Sequence, residues 1–388
     1  MKEAVIVSAV RTPVGKYGGM LANYKDYELG AMVIKEAVRR CHIHPNDVDD
    51  VYFGNLLGIP GNIAKVSAVG AGLPETIPAV TIDRQCASGV EAISVAAAMI
   101  QSGNGSVYIA GGAESMTNKP YYLEKSHKPY SVRPPRFLEA MFVPAGMEDP
   151  GMGETAENVL DRYTISREEM DTFALNSHKK AIEAIEKGEF DEQILPVPVK
   201  IKQEEKRMMK DECPRKDTHL EKLLKLSPLF RKGGSVTAGN SCPMNDGAAA
   251  VILMDKEKAE KDGVSYMGTV KGFASVGLDH KVMGLGPIYA VRKLLEKTGL
   301  KMDDIDLFEL NEAFAAQSIA CIRELGLDIA KVNINGGAIA LGHPLGATGT
   351  ILAIKLLHAL KKSNARYGIV TMCIGGGQGA ALLLENTK

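Results

Sequence analysis

Short apolar runs alternate along the chain with segments rich in small residues, which predicts strands and helices in turn. In the first third of the chain, strands are predicted at residues 4–10, 51–53, 79–82 and 107–110, with a helix at about 88–102. Buried strands that alternate with helices are typical of an α/β protein. The predicted helix is apolar on nearly every face, so we expect it to be enclosed at the centre of the molecule.

The C-terminal third repeats this plan. Strands are predicted at residues 305–310, 332–334, 368–372 and 380–384, and helices at 313–324 and about 350–361. In each half a turn that contains glycine, at residues 86–89 and 346–349, precedes a long helix and then an apolar strand that ends in glycines. A duplicated βαβ-type unit would explain this correspondence, although a match this short is also compatible with coincidence.

Residues from about 118 to 245 differ from both halves. They contain several prolines and a polar amphipathic helix at 166–187, which we interpret as an inserted cap or loop domain. A chain of 388 residues exceeds the size at which one core usually keeps growing. We therefore expect an N-terminal half at residues 1–265, with the loop domain inserted in it, and a C-terminal half at 266–388.

The net charge of −1 argues against a protein that binds nucleic acid, because such domains carry a clear basic excess. A local excess remains between residues 200 and 232, which hold eleven Lys or Arg and six Asp or Glu. This segment either faces an anionic ligand, such as a phosphorylated cofactor, or is a solvated polar excursion.

The six cysteines form no CxxC pair and no dense cluster, so neither a zinc ribbon nor a disulfide framework is indicated. The first ten residues are typical of a strand rather than of a signal peptide. Stretches without charge are broken by glycine and proline, which disfavours membrane spans. We expect a protein of the reducing cytoplasm.

Two cysteines stand where the local sequence favours chemistry. Cys86 precedes the predicted central helix, whose N-terminal partial charge would favour the thiolate and make it a nucleophile; the alternative is a buried structural cysteine. Cys373 ends a strand and is followed by Gly375, Gly376 and Gly377. Consecutive glycines allow backbone N–H groups to approach a ligand or a developing negative charge.

Two further polar residues lie at similar junctions. His343 is flanked by Gly342 and Pro344 in a loop before a helix, where its imidazole could act as a general base. Asn311 follows a predicted strand and could equally be a helix cap. Each residue alone is a weak signal.

Taken together, these four residues occur in the order of one family's signature. The chain closely resembles the thiolases, which are coenzyme A dependent acyltransferases. The resemblance extends from residues 5–7 and 11–13 through the glycine-rich residues 111–115 to Cys373 and its glycines. It implies the thiolase fold, with two similar βαβαβ-type halves in a five-layered α-β-α-β-α core and an inserted loop domain.

The resemblance also implies a division of catalytic roles. Cys86 takes the acyl group as a thioester after His343 removes its proton, and Cys373 acts as the acid and base at the substrate carbon. His343 and a water held by Asn311 stabilise the enolate. The backbone amides of Cys86 and Gly375 form a second oxyanion hole.

No cofactor is implied as permanently bound, since coenzyme A and acyl-CoA are substrates. The resemblance places Arg215 near the adenosine 3′-phosphate, Ser235, Ala238 and Cys242 along the pantetheine channel, and Met152 against the acyl pocket. It further implies a homodimer or a homotetramer built as a dimer of dimers.

Two positions depart from the pattern of short-chain biosynthetic thiolases. Gly151 stands where these enzymes usually have histidine, and Cys242 stands where they usually have serine. Both departures bear on acyl preference, and the small Gly151 is compatible with a longer chain.

The resulting hypothesis is reversible condensation of two acetyl-CoA to acetoacetyl-CoA and CoA. The alternative within the family is a longer-chain 3-ketoacyl-CoA thiolase of fatty acid β-oxidation. Alternatives from other classes are a zinc protein with Cys86, His343 and Cys373 as ligands and a non-catalytic acyl-CoA-binding protein. A dinucleotide-binding loop at residues 375–379 is disfavoured, because only nine residues follow it.

Overall fold

A computed structural model describes residues 2–59, 61–126, 130, 134–202 and 204–387. The strands are β1 (Ala4–Arg11), β2 (Gly15–Lys16), β3 (Asp50–Gly54), β4 (Ala79–Ile82), β5 (Val107–Ser115), β6 (Tyr122–Leu123), β7 (Phe137–Leu138), β8 (Val197–Ile201), β9 (Glu204–Met208), β10 (Asn245–Asp255), β11 (Gly268–Gly277), β12 (Leu307–Leu310), β13 (Tyr367–Ile374) and β14 (Gln378–Asn386). The helices are α1 (Asp26–Cys41), α2 (Ile63–Gly70), α3 (Ser88–Ser102), α4 (Met152–Leu160), α5 (Arg167–Glu186), α6 (Leu220–Leu224), α7 (Lys256–Lys261), α8 (Gly286–Thr298), α9 (Ala315–Leu325), α10 (Ala338–Leu341) and α11 (Leu345–Ser363). Short 3-10 helices lie at Pro45–Asp47, Met116–Asn118, His280–Leu285, Met302–Asp304 and Ile329–Lys331.

The large sheet has the strand order β12-β13-β14-β11-β1-β10-β5-β3-β4, with β2 paired to β10. Strands β1 and β11 pair through Val5 with Thr269 and Ile6 with Gly268. This short ladder joins an N-terminal part, β1-β10-β5-β3-β4, edge to edge with a C-terminal part, β11-β14-β13-β12.

The two parts of the sheet repeat one topology. In the N-terminal part, β1 and β10 pair antiparallel, as do β10 and β5, while β5 and β3 pair parallel. In the C-terminal part, β11 and β14 pair antiparallel, as do β14 and β13, while β13 and β12 pair parallel. The helix before β5 is α3 and the helix before β13 is α11. The duplication predicted from the sequence is therefore confirmed.

Helices α3 and α11 form the central layer. Their side chains, among them Ile93 and Leu356, share one buried cluster with residues from both parts of the sheet, such as Val251 and Val370. On the outer faces, α1 and α2 cover the N-terminal part and α8 and α9 cover the C-terminal part. The layers follow the order α-β-α-β-α, and α3 is central as its apolar surface predicts.

Glycines allow the central helices to approach each other at their N-termini. A Cβ atom added to Gly112 would lie 1.9 Å from the carbonyl oxygen of Gly346. A Cβ atom added to Gly54 would lie 2.6 Å from the same oxygen, and one added to Gly89 would lie 3.0 Å from it. Only glycine, which has a hydrogen in place of Cβ, fits at these positions. The first turn of α11 is thereby held against the start of α3 and the ends of β3 and β5.

The connection between β5 and β10, which is the predicted insertion, contains the small elements β6 to β9 and α4 to α6. Helix α5 of this insertion packs on α9 and α10 of the C-terminal half. Among the residues with described positions, no helix is long and apolar enough to cross a membrane.

Two local predictions are wrong. Residues 332–334 form no strand, because Asn333 has a φ of +46°. The side chain of Asn333 occupies both backbone groups of Leu310: its Oδ1 accepts from the N–H at 2.9 Å, and its Nδ2 donates to the carbonyl at 2.8 Å. Val332 contributes an isolated bridge to Phe308. The turn expected at residues 346–349 is also absent: Gly346 and its neighbours lie inside α11, where glycine serves helix packing.

Candidate active site

Cys86 lies in a tight turn between β4 and α3. Gln85 has a φ of +48°, which is an uncommon conformation for a residue with a side chain. The turn is fixed by Ser88, whose hydroxyl accepts from the N–H of Arg84 at 2.9 Å and donates to the carbonyl of Gln85 at 2.6 Å. Backbone strain that the surroundings support in this way is typical of functional sites.

The Cys86 side chain is half-buried, and the backbone N–H groups of Gly375 and of Cys86 itself lie where they favour the thiolate. Burial outweighs this stabilisation and raises the pKa of the thiol to about 11, with Glu114 and Asp83 adding to the increase. Burial thus opposes the stabilisation of the thiolate that is expected from the N-terminus of α3. Cys86 needs a base to become a nucleophile.

His343 is the residue predicted to be this base. Burial lowers the pKa of its imidazole to about 4, so the ring is neutral near pH 7 and can accept a proton. Its backbone is positioned by Asn245, whose Oδ1 accepts from the N–H of His343 at 2.7 Å. Gly342, with a φ of +104°, allows the loop to pass close to this asparagine.

Thr348 determines which ring nitrogen is free. The hydroxyl of Thr348 donates to the carbonyl of Pro344 at 2.8 Å and lies 2.7 Å from Nδ1 of His343. With the single hydroxyl hydrogen assigned to the Pro344 carbonyl, Nδ1 carries the proton of the bond to Thr348. Nε2 is then unprotonated and accepts from Nδ2 of Asn311 at 3.4 Å.

Asn311 is held by a buried network around its neighbour, Glu312. The N–H of Asn311 donates to the carbonyl of Thr371 at 2.9 Å. The carboxylate of Glu312 accepts from Ser177 Oγ at 2.6 Å and Asn333 Nδ2 at 2.8 Å. In the part of the chain that the structure describes, Oδ1 of Asn311 has no hydrogen-bond partner. The asparagine thus offers an acceptor beside the imidazole of His343.

Glu114 connects the two halves beneath these residues. Its carboxylate accepts from the N–H groups of Leu57 at 2.9 Å, Gly346 at 3.0 Å and Leu56 at 3.2 Å. Burial raises the pKa of this carboxyl to about 8. Since Gly346 belongs to the first turn of α11, Glu114 helps to fix the loop that carries His343.

Cys373 is buried in β13, in a cluster with Val236, Met283 and Phe314, against which Met152 also packs. Burial raises the pKa of the Cys373 thiol well above its usual range, and the nearby thiols of Cys86, Cys321 and Cys242 raise it further. The second catalytic cysteine predicted from the sequence therefore lies beside the first, in an apolar environment.

The glycines after Cys373 form the turn between β13 and β14. Gly376 and Gly377 have φ values of +81° and +78°, which reverse the chain within three residues. This turn brings the N–H of Gly375 near enough to Cys86 to favour its thiolate. The structure thus pairs Cys86 with Gly375 and Asn311 with His343.

The two pairs meet where α3 and α11 begin. Gly89 lies three residues after Cys86, Gly346 lies three residues after His343, and these two glycines are in contact.

The residues predicted to bind coenzyme A fall into two groups. Met152 begins α4, with its sulfur 3.6 Å from the position of a Cβ on Gly375, and the half-buried Cys242 donates its N–H to the carbonyl of Ala313 at 3.0 Å. Burial, with the charge of Cys86, raises the pKa of the Cys242 thiol to about 12. These two residues therefore border the catalytic group.

The other three predicted residues belong to the connection between β5 and β10. The N–H of Ser235 donates to Oε1 of Glu157 at 2.9 Å, and Ala238 is exposed. Arg215 is exposed, while its N–H donates to Nδ1 of His178 at 3.2 Å. Within the described ranges, no three side chains of His, Cys, Asp or Glu are grouped so that they could hold a metal ion.

Comparison with known families agrees with this geometry. The thiolase N-terminal domain matches residues 4–257, and the thiolase C-terminal domain matches residues 264–386. The chain belongs to the thiolase family. The resemblance recognised in the sequence is confirmed.

Relatives match this thiolase over its full length. It is 46% identical to an acetyl-CoA acetyltransferase of Syntrophomonas wolfei over 99% of both chains, and 44% identical to one of Pseudomonas aeruginosa, also over 99% of both. The crystal structure of the Bacillus anthracis acetyl-CoA acetyltransferase superposes with a TM-score of 0.96 at 43% identity, covering 100% of this chain and 99% of that one. The thiolase fold predicted from the sequence is therefore confirmed.

Proposed function

We propose that this thiolase condenses two acetyl-CoA to acetoacetyl-CoA and CoA and also catalyses the reverse thiolysis. One observation carries the proposal: Cys86 lies near the N–H of Gly375 and the thiol of Cys373, while the adjoining helix start presents the His343 imidazole, hydrogen-bonded to Asn311 and Thr348. The names of the relatives, which are acetyl-CoA acetyltransferases, support the same reaction.

In the first half-reaction, Nε2 of His343 accepts the proton of the Cys86 thiol, and the sulfur attacks the thioester carbon of acetyl-CoA. The N–H groups of Cys86 and Gly375 donate to the oxygen of the tetrahedral intermediate. The bond to the CoA sulfur then breaks, and CoA leaves with the proton from His343. The product is acetyl-Cys86.

In the second half-reaction, Nε2 of His343 takes the proton of the Cys373 thiol, and the resulting thiolate removes a proton from the methyl group of another acetyl-CoA. The apolar surroundings that raise the pKa of Cys373 make its thiolate a strong base. The enolate carbon attacks the acetyl carbon on Cys86, and the Cys86 sulfur leaves and takes back the proton from Nε2 of His343. During this step the enolate oxygen accepts from protonated Nε2 of His343 and from a water, for which Oδ1 of Asn311 is an available acceptor.

Coenzyme A enters as a substrate and not as a resident cofactor. We place Met152 at the acyl group and Cys242, Ser235 and Ala238 along the pantetheine arm. The exposed cation of Arg215 lies in the basic segment at residues 200–232, which suits a 3′-phosphate in contact with water.

The mechanism is tested by paired variants. Cys86→Ala should form no acyl-enzyme with acetyl-CoA, whereas Cys373→Ser should still gain one acetyl group on Cys86 yet lose condensation and thiolysis. Mass spectrometry of the intact protein, with peptide mapping, detects the acetyl group. Normal turnover by Cys373→Ser would refute the acid and base assignment.

We further propose a homo-oligomer, either a dimer or a tetramer. Strand β4 ends the large sheet and carries the exposed Val80, and an open strand edge is a ready site for pairing with a second copy. The β6–β7 hairpin exposes apolar side chains that include Leu123 and Phe137. Light scattering of the purified protein distinguishes the two assemblies from a monomer.

The division into an N-terminal half at residues 1–265 and a C-terminal half at 266–388 remains a proposal. It is supported by the domain matches, which end at residue 257 and begin again at residue 264. A cytoplasmic location is proposed on the six cysteines, which are all free thiols.

A further inference from the structure

The ring of Phe142 stands directly against the turn that contributes the oxyanion hole. A Cβ atom on Gly375 would lie 2.8 Å from Cε1 of Phe142, and one on Gly376 would lie 3.3 Å from the Phe142 carbonyl oxygen. The sulfur of Met152 is 3.6 Å from the same Cβ position on Gly375. Phe142 and Met152 therefore form one wall beside this residue.

An acyl group on Cys86 begins at this wall. The carbonyl carbon of this acyl group is bonded to the Cys86 sulfur, which lies near the N–H of Gly375. Met152 also packs against the buried cluster of Val236, Met283 and Phe314 around Cys373. The wall beside Gly375 is therefore continuous with apolar side chains around the second cysteine.

The loop that carries Phe142 is anchored at several points. The N–H of Phe142 donates to Oδ2 of Asp149 at 2.9 Å. The backbone carbonyl of Glu148 lies 2.8 Å from Nε2 of His280, and its carboxylate forms an ion pair with Lys281. His280 in turn abuts the glycine turn, because its backbone N would lie 2.7 Å from a Cβ on Gly377. These contacts oppose movement of the ring away from the pocket.

Gly151 does not enlarge the same space. Residue 151 is exposed, and a Cβ atom added there meets nothing within 4 Å. The missing side chain therefore widens the side that faces solvent and leaves the wall at Phe142 unchanged. The sequence departure at Gly151 does not by itself provide room for a longer acyl chain.

We propose that Phe142 determines the chain length of this thiolase by closing the acyl pocket, so that its 3-ketoacyl-CoA substrates are limited to about four carbons. This inference rests on the proposed thiolase reaction. Phe142 acts as a specificity-determining residue, and Met152 completes the wall.

The test is thiolysis of 3-ketoacyl-CoA substrates of four, six and eight carbons by the full-length protein. We expect kcat/KM of the wild type to fall steeply beyond four carbons. Phe142→Ala should raise the ratio of kcat/KM for six carbons to that for four by at least about tenfold, which is the usual scale for one or two methylenes in an apolar pocket. Phe142→Leu should lie between the two, and Gly151→Ala should leave the ratio unchanged.

Two results would overturn the inference while leaving the reaction intact. One is a wild type that cleaves eight carbons as well as four; the other is a pair of active Phe142 variants with the wild-type ratio. Failure of the reaction itself has a different signature, namely a wild type that neither acetylates Cys86 nor cleaves any member of the series.

Discussion

The hydrogen bond between Thr348 and His343 should control the rate at which Cys86 is acylated. Thr348→Val keeps the shape of the side chain and removes only the hydroxyl. The carbonyl of Pro344 keeps the N–H groups of Ala347 and Thr348, both at 2.9 Å, so Nδ1 of His343 is the group that loses its partner. An unpaired buried N–H costs about 1–3 kcal/mol.

This cost destabilises the reactive tautomer of His343, in which Nδ1 carries the proton and Nε2 is free. Without the Thr348 hydroxyl, either Nδ1 keeps its proton without a hydrogen-bond partner, or the proton moves to Nε2, which can then no longer act as a base. The reactive tautomer should become about 5- to 150-fold less favoured, since 1.36 kcal/mol corresponds to a factor of ten. We expect the single-turnover rate of Cys86 acetylation to fall by a similar factor, and Thr348→Ser, which retains a hydroxyl, to recover most of it.

Quenched-flow mass spectrometry with acetyl-CoA measures this rate directly. The ¹⁵N chemical shifts of the His343 ring provide a readout that a purely structural role would not move, because they report which nitrogen carries the proton. Acetylation by Thr348→Val within twofold of the wild type would refute the reasoning, as would an equally slow Thr348→Ser.

Two further predictions concern stability. His358 is largely buried, and burial lowers the pKa of its imidazole to about 4. The unfolded chain therefore binds a proton at this residue below about pH 6.5, whereas the folded chain binds it only below about pH 4. This histidine should lower the free energy of unfolding by about 2 kcal/mol between pH 8 and pH 5, and urea titrations of His358→Gln should show a correspondingly smaller loss; equal pH dependence would contradict this. Gly112→Ala should lower the free energy of unfolding by about 3 kcal/mol because its methyl group meets the Gly346 carbonyl, whereas Gly151→Ala should change it by less than about 0.5 kcal/mol. Similar melting temperatures for the two glycine variants would be inconsistent with this packing.

The fold was most predictable where local signals were strongest. Helix α3 has the predicted bounds, since it is uniformly apolar and Gly103 ends it in a left-handed conformation. By contrast, β11 was not predicted, because Gly268, Gly272 and Gly277 resemble a loop in sequence and gain their strand geometry from pairing with β14 and β1. Pairing between distant strands leaves no local pattern.

The candidate site shows the same division. Cys86, His343 and Cys373 stand beside helix starts or glycines that are visible in sequence. Glu114 was not predicted, since its bond to Gly346 spans 232 residues. Thr348 is five residues from His343 and could have been found from the spacing, because a hydroxyl one turn into a helix can reach a side chain just before it.

The contact between the starts of α3 and α11 has a consequence for how such a site can arise. Cys86 and His343 occupy equivalent places in two copies of one topology, each three residues before a glycine of that contact. Two identical chains related by symmetry would present the same residue on both helices, either two thiols or two imidazoles. With both copies in one polypeptide, each position mutates independently, and a nucleophile can face a base.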